Sequence, residues 1–204
     1  QRQMCIRDSK NAQYSDQLNT RKFKLEKLQR EFIKKNGFTW AKNIYWGNLK
    51  QPFKGHNPDR TAQAAQEFIE EHKDHPNYKH CCSTLLHGPN GEWFKSMMEK
   101  ELATGEGFIK KPLNLIDRKS VCERIQKAGL TESEVGYLWM DDSLGLILDK
   151  LDELGIADNT IVVFVSDHGS ERKGSLIKTR GTEIPCLIRW PRVIKPGSVS
   201  RGLL

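Results

Sequence analysis

Two short segments carry side chains able to bind a metal ion or transfer a proton. The first is Ser166-Asp167-His168-Gly169, which follows the apolar, β-branched run Thr160–Val165. The second is His87, which follows the segment Tyr78–Leu86 and precedes Gly88-Pro89. Ligands of open α/β sheets bind beyond the carboxyl ends of the strands, so an aspartate and an imidazole there could share one metal ion or one proton-transfer site. Two structural interpretations stay open: Asp167 as a turn cap, and His87 as a structural histidine.

The segments that must position these side chains include several predicted helices. Apolar residues recur at helical intervals in Ser15–Lys35 (Leu18, Leu25, Leu28, Phe32) and in Thr61–Lys73 (Ala65, Phe68, Ile69, His72). Two hydroxyl–carboxylate pairs, Ser120 with Glu123 and Thr131 with Glu134, have the spacing of a capping box and predict two more helix starts. The second opens the longest apolar stripe, which is closed by Gly155 and consists of Tyr137, Met140, Leu144, Ile147, Leu148, Leu151 and Leu154.

Three segments have the composition of strands: Tyr78–Leu86, Thr160–Val165 and Ile184–Trp190. The middle one is short, β-branched and mostly apolar, which is typical of a strand buried on both faces. Helices that alternate with buried strands predict an α/β fold with a mainly parallel sheet flanked by helices. Residues 1–14 show no hydrophobic period, and we expect them to be disordered or foreign to the fold.

The order of these motifs resembles the sulfatase family of the alkaline-phosphatase superfamily. Residues 79–93, with T-L-L-H-G-P at 84–89, resemble it moderately, and residues 137–191 resemble it closely. The latter contain D-N-T at 158–160, S-D-H-G at 166–169, K-G-S-L at 173–176 and I-P-C-L-I-R-W-P at 184–191. The resemblance implies an alkaline-phosphatase-like fold, of which residues 15–204 would form an incomplete catalytic domain that lacks its N-terminal portion.

The resemblance also implies roles for individual residues. Asp167 and His168 match a pair of divalent-metal ligands, and His87 and Lys173 match residues that contact the sulfate group. Lys178 is the second candidate for the role of Lys173, because residues 177–184 depart from the family pattern. Calcium is the metal that the family implies, although the nitrogen of His168 leaves manganese and zinc open. A sulfate ester needs positive charge and a proton donor at the leaving oxygen, which these side chains could supply.

Two parts of the family's site have no counterpart in this sequence. Sulfatases use a formylglycine made from a cysteine or serine in a C-x-P-S-R or C-x-A-x-R type of motif, and none of the five cysteines stands in one. The early Asp-Asp pair of metal ligands is also absent, since Asp141-Asp142 lies within a predicted helix and off its apolar stripe. We therefore expect the nucleophile and the first metal ligands upstream of these residues, and no turnover by the isolated chain.

Composition excludes some classes of protein and leaves others open. The 204 residues carry 33 Lys and Arg against 26 Asp and Glu, a net charge of +7 that is too mild to predict a nucleic-acid partner. The apolar run Ile161–Val165 is far shorter than the roughly 20 residues of a membrane span. The expected substrate is a sulfated small molecule or carbohydrate, in an exported compartment such as the periplasm. The alternatives are a phosphate or phosphonate ester hydrolase, and a polyanion-binding protein that uses the basic helix 21–35.

Overall fold

The computed structural model describes residues 15–45, 53, 55–88, 91–99, 102–109, 115–169 and 179–200. The chain divides into two compact units, residues 1–147 and residues 148–204. The predictions for residues 1–14, Lys173 and Lys178 lie outside the described residues.

The helices of the first unit begin at side-chain caps. The elements are α1 (Asp16–Lys35), α2 (Pro58–His72), α3 (Gly91–Met98), β1 (Leu102–Thr104), β2 (Gly107–Ile109), α4 (Arg118–Lys127) and α5 (Val135–Glu153), whose residues from 148 onward belong to the second unit. Ser15 caps α1 and Asn57 caps α2. The capping box of Thr131 and Glu134 is confirmed, on a short 3₁₀ turn that leads into α5.

One predicted helix start was wrong. Helix α4 is capped by Asp117, whose carboxylate accepts hydrogen bonds from the backbone N–H groups of Lys119 and Ser120. Ser120 therefore lies inside the first turn. An aspartate at the cap also places negative charge at the positive end of the helix, which favours the earlier start.

Helix α1 packs through a face that hydrophobic periodicity did not predict. Its buried residue is Glu26, which accepts a hydrogen bond from Arg30 at 2.5 Å and one from the backbone N–H of Ile44 at 3.2 Å. Arg30 also pairs with Glu106, in the turn between β1 and β2, at 3.0 Å. The predicted stripe residues Leu28 and Phe32 are 64% and 63% exposed. The ion pairs of Arg30 with Glu26 and Glu106, rather than the apolar stripe, hold this helix against its neighbours.

The core of the first unit is formed by α3, α4 and the start of α5. Its fully buried members include Trp93, Val121, Val135 and Trp139. Trp139 also donates a hydrogen bond from Nε1 to Asp59 of α2 at 2.9 Å, so the core is joined to α2 by a buried polar contact. Tyr137 of the predicted stripe is half exposed, and its ring meets Trp93 edge-on.

The second unit contains β3 (Val162–Val165), a short helix α6 (Thr179–Thr182) and β4 (Cys186–Arg189). Strands β3 and β4 pair antiparallel, with Val162 opposite Arg189 and Val165 opposite Cys186. In the first unit β1 and β2 also form an antiparallel pair. The mainly parallel sheet is thus not confirmed among the described residues, where both strand pairs are antiparallel.

The segment Tyr78–Leu86 is described throughout and is not a strand. It runs as irregular chain into a turn at Leu85 and Leu86, and no described strand pairs with it. A lone segment with strand composition has no neighbour to satisfy its backbone hydrogen bonds, so composition alone does not make it a strand. None of the described helices combines the length and the apolar composition that a bilayer span needs.

Candidate functional site

The turn that follows β3 holds the two predicted metal ligands. Residues 162–165 extend as a strand because they are β-branched or aromatic, and Ser166 then ends the ladder. The hydroxyl of Ser166 donates a hydrogen bond to the carbonyl of His168 at 2.8 Å, which closes the turn. The backbone N–H of Gly169 donates to the carbonyl of Gly181 in α6 at 3.0 Å. The turn is therefore held at both ends by hydrogen bonds.

Asp167 and His168 lie side by side in this turn. The Nε2 atom of His168 is 3.6 Å from Oδ2 of Asp167. The Asp167 carboxylate is largely exposed and the imidazole is partly buried. The two donor atoms are close enough to enter the coordination shell of a single ion, whose bonds to nitrogen and oxygen are roughly 2 to 2.6 Å long.

The second ring nitrogen of His168 fixes which nitrogen can bind a cation. Nδ1 lies 2.8 Å from the carbonyl oxygen of Gly169. A carbonyl oxygen only accepts, so Nδ1 is the donor and the neutral ring keeps its lone pair on Nε2. Metal-binding histidines commonly donate their other ring N–H to a backbone carbonyl in this way. The pair therefore fits a divalent cation in both spacing and tautomer.

Asp167 and His168 would supply two of the ligands that such an ion needs. Calcium takes six to eight oxygen ligands, and manganese also prefers a large shell. The described ranges bring together no group of three or more histidine, cysteine, aspartate or glutamate side chains. A complete centre would therefore need further ligands besides the Asp167–His168 pair.

His87 belongs to the first unit, whereas Asp167 and His168 belong to the second. Its side chain is exposed, and Nδ1 lies 2.9 Å from the carbonyl oxygen of Gly88. By the same reasoning as for His168, Nδ1 donates in the neutral ring and Nε2 is left as the acceptor. The predicted sulfate contacts Lys173 and Lys178 lie outside the described residues.

Sequence reasoning missed the residue that positions His87. Trp93 of α3 is buried and donates a hydrogen bond from Nε1 to the carbonyl oxygen of His87 at 2.9 Å. A buried indole N–H usually finds a partner, and here the partner is the backbone of the candidate site. The six-residue separation of Trp93 and His87 was visible in the sequence, but nothing in it showed that the indole would turn back toward His87.

Sequence reasoning also missed Lys79, which precedes the candidate site by eight residues. Its Nζ is buried without a hydrogen-bond partner and lies 5.8 Å from the centre of the Phe68 ring. Burial lowers the pKa of Lys79 to about 8, an effect that Cys81 partly offsets. The residue as a whole is partly exposed, although its Nζ atom is buried. No sequence signal distinguishes this lysine from the many exposed ones.

Comparison with known proteins assigns the chain to a family. The family model described as Sulfatase matches residues 8–203, which is nearly the whole sequence. The chain therefore belongs to the sulfatase family. Membership implies the α/β, alkaline-phosphatase-like fold, and it confirms the resemblance read from the motifs at 84–89 and 166–191.

Individual relatives match shorter stretches. Steryl-sulfatase of Mus musculus is 39% identical over 79 residues, which cover 29% of this chain and 13% of that protein. An ulvan-active sulfatase of Formosa agariphila is 25% identical over 166 residues, or 76% of this chain and 30% of that protein. An N-acetylglucosamine-6-O-sulfatase of Bacteroides thetaiotaomicron is 34% identical over 73 residues, or 32% and 13%. The matches thus span less than a third of each relative.

Proposed function

We propose that these residues are the later part of the catalytic domain of a sulfuric ester hydrolase. The observation that carries the proposal is the Asp167–His168 pair, with donor atoms 3.6 Å apart and Nε2 available, in a chain that matches the Sulfatase model over residues 8–203. A carboxylate and a neutral imidazole arranged in this way suit a cation that must face an anionic substrate.

Asp167 and His168 would hold a divalent cation, with calcium as the first choice and manganese or zinc as alternatives. When bound, the ion would supply positive charge to the oxygens of the sulfate group. The protein's own contribution is positional. The Gly169 carbonyl holds the His168 ring by Nδ1, and the Ser166 hydroxyl holds the backbone of the turn. Such outer contacts orient ligands and raise their basicity.

His87 and Lys173 would contact the sulfate group, with Lys178 as the second candidate for the lysine. An ammonium group offers a compact positive charge where charge develops on the ester oxygens. Histidine is the most frequent general acid of enzymes, and His87 would give a proton to the leaving alcohol oxygen. The hydrogen bond from Trp93 to the His87 carbonyl would hold this histidine's backbone in place.

The nucleophile is proposed to lie outside these 204 residues. No cysteine or serine of the sequence stands in a C-x-[PA]-x-R or S-x-[PA]-x-R motif. The carboxylates Asp141 and Asp142 do not replace the missing ligands, because Asp142 pairs with Arg124 and Asp141 is exposed on α5. The isolated chain is expected to hydrolyse no sulfate ester at a measurable rate.

The substrate class is proposed to be a sulfated carbohydrate or small molecule, met in an exported compartment. The relatives include a steryl-sulfatase, an ulvan-active sulfatase and an N-acetylglucosamine-6-O-sulfatase, whose names support both substrate types. A phosphate or phosphonate ester hydrolase is the alternative within the superfamily, since its anionic ester would place the same demand for positive charge on the site.

One experiment separates these proposals. The complete reading frame that contains these codons is sequenced, and its protein is assayed on an aryl sulfate and on the matching aryl phosphate. A formylglycine motif, together with a sulfate rate at least about a hundredfold above the phosphate rate, supports the proposal. A frame without the motif, or faster phosphate hydrolysis, would overturn it.

A further inference from the structure

Helix α1 exposes apolar side chains in the middle of a basic surface. Five of its residues form a continuous stripe on the outside of the helix, which we name the cationic stripe: Arg21, Lys24, Leu28, Phe32 and Lys35. At 100° per residue these positions fall within about 80° of each other, and they span about 21 Å of the helix axis. All five side chains are exposed, and the apolar pair in the centre is more than 60% exposed.

The exposed charge of α1 is mostly positive. Between positions 21 and 35 the exposed residues of α1 include one carboxylate, Glu31, and five cations: Arg21, Lys24, Lys27, Lys34 and Lys35. The acidic partner that could have balanced them, Glu26, is buried and pairs with Arg30. The Glu26–Arg30 pair is thus directed toward the protein, and the remaining positive charge of the helix is exposed to solvent.

The apolar side chains of the cationic stripe leave most of their surface in water. Leu28 and Phe32 lie four residues apart within the stripe, and Phe38, just beyond the helix end, is also nearly half exposed. Leaving such side chains in water gives no benefit to the fold, and an exposed apolar group rimmed by cations is typical of an interaction site.

We propose that the cationic stripe docks α1 on the surface of an anionic lipid bilayer. The helix would lie in the plane of the interface, with Leu28 and Phe32 inserted at the boundary of headgroups and acyl chains. The long side chains of Arg21, Lys24 and Lys35 would reach back to the lipid phosphates, as arginine and lysine stems do at interfaces.

A lipid surface fits the stripe better than a soluble polyanion does. A sulfated glycan or nucleic acid would pair with the cations, but it would leave the aliphatic side chain of Leu28 in water. An anionic bilayer satisfies the charge and also removes Leu28 and Phe32 from water. Binding to a bilayer should therefore depend on Leu28 and Phe32, whereas binding to a soluble polyanion should not.

The test is co-sedimentation of the chain with vesicles of phosphatidylcholine alone and with vesicles that contain about one third phosphatidylglycerol. We expect binding to the anionic vesicles that weakens with salt, and at least about tenfold weaker partition onto neutral ones. The double variant Leu28→Ser/Phe32→Ser should lose at least about tenfold in partition. Its matched control, Leu130→Ser/Val193→Ser, removes two apolar side chains that are also exposed but lie off α1, and should bind like the wild type.

A second variant keeps the proposal testable if the first one disturbs the fold. Lys24→Gln/Lys35→Gln leaves the apolar pair intact and should weaken partition roughly fivefold per lysine. Three results would overturn the proposal: unchanged vesicle binding by Leu28→Ser/Phe32→Ser; binding to heparin but not to vesicles; or self-association through the apolar pair without vesicle binding. None of these readouts depends on sulfate hydrolysis.

Discussion

His168 and Asp167 face each other across 3.6 Å, from Nε2 to Oδ2, while the Nδ1 atom of the same ring is bonded to the Gly169 carbonyl. The Gly169 carbonyl fixes the tautomer of the neutral His168 ring, because Nδ1 must carry the proton. The lone pair of Nε2 then lies beside the Asp167 carboxylate. Under the proposed function, this arrangement would let the motif S-D-H-G hold the cation of a sulfate ester hydrolase. It also makes a prediction that the 204-residue chain itself can test.

Manganese added to the chain should broaden the imidazole proton resonances of His168 before those of other histidines. Paramagnetic broadening detects even the weak binding expected of two ligands. Asp167→Asn should remove the preference, because an amide is a much weaker ligand than a carboxylate.

Two controls are present in the same chain. His75 follows Asp74 directly, so it reports what a bare Asp-His dipeptide does. Asp158→Asn removes an exposed carboxylate that pairs with Arg192, and it should leave the broadening of His168 unchanged. Equal broadening of His75 and His168 would contradict the proposed ligand pair.

Asp59→Asn should lower the free energy of unfolding of the first unit by about 3 kcal/mol. The Asp59 carboxylate is fully buried, and it accepts hydrogen bonds from Arg118 at 2.7 Å and from Trp139 at 2.9 Å. The amide would leave the Arg118 guanidinium, which is mostly buried, without its counter-charge. Asp142→Asn is the matched control, since its partner Arg124 is exposed, and it should cost about 1 kcal/mol or less. Urea unfolding measures both, and equal costs would contradict the assignment of Asp59 to the core.

Lys79→Met should stabilise the chain at pH 7 by about 1 to 3 kcal/mol and should flatten its pH dependence. The folded pKa of Lys79 is about 8, against an ordinary value of 10.5, because burial disfavours the charged form. Between these values the unfolded chain binds more protons than the folded chain, so wild-type stability rises as pH increases from about 8.

The measurement for Lys79 is urea unfolding at pH 7 to 10, with both proteins in a Cys81→Ser background. The background is needed because burial raises the pKa of the Cys81 thiol, and a shifted thiol adds a pH dependence of its own. Lys73→Met, at an exposed lysine paired with Glu70, is the control and should leave the pH profile unchanged. A wild-type profile that stays flat above pH 8 would contradict the burial of the Lys79 ammonium group.

The choice between the two candidate lysines gives a kinetic prediction for the protein encoded by the complete reading frame. Lys173→Met should lower kcat/KM on an aryl sulfate by roughly a hundredfold or more, because it removes a charge from the developing oxyanion. Lys178→Met should cost less than about tenfold. The reverse order of effects would assign the sulfate contact to Lys178.

The helices were the most predictable part of the fold. Periodicity in Thr61–Lys73 correctly placed Ala65, Phe68 and Ile69 in the buried face of α2. It failed for α1, where Glu26 is buried and Leu28 exposed. The hydrophobic pattern of a helix does not predict that a carboxylate such as Glu26 will be buried. Its burial depends on hydrogen bonds from Arg30 and from a distant backbone N–H, and the tertiary fold brings that N–H to it.

The candidate site was predictable in its residue types but not in its arrangement. The motif S-D-H-G identified Asp167 and His168, and the structure places them together at the end of β3. The bond from His168 to the Gly169 carbonyl depends on the turn geometry, which the sequence does not specify. The strand predicted at Tyr78–Leu86 was wrong, because strand formation needs a partner whose identity composition does not reveal.

The central claim is that Asp167 and His168 hold the cation of a sulfate ester hydrolase. Its most direct test is kcat/KM on an aryl sulfate for the protein of the complete reading frame, as wild type, Asp167→Asn and the control Asp158→Asn. We predict that Asp167→Asn loses at least about a hundredfold, while Asp158→Asn stays within about twofold of the wild type. Wild-type activity in the Asp167→Asn protein would contradict the claim.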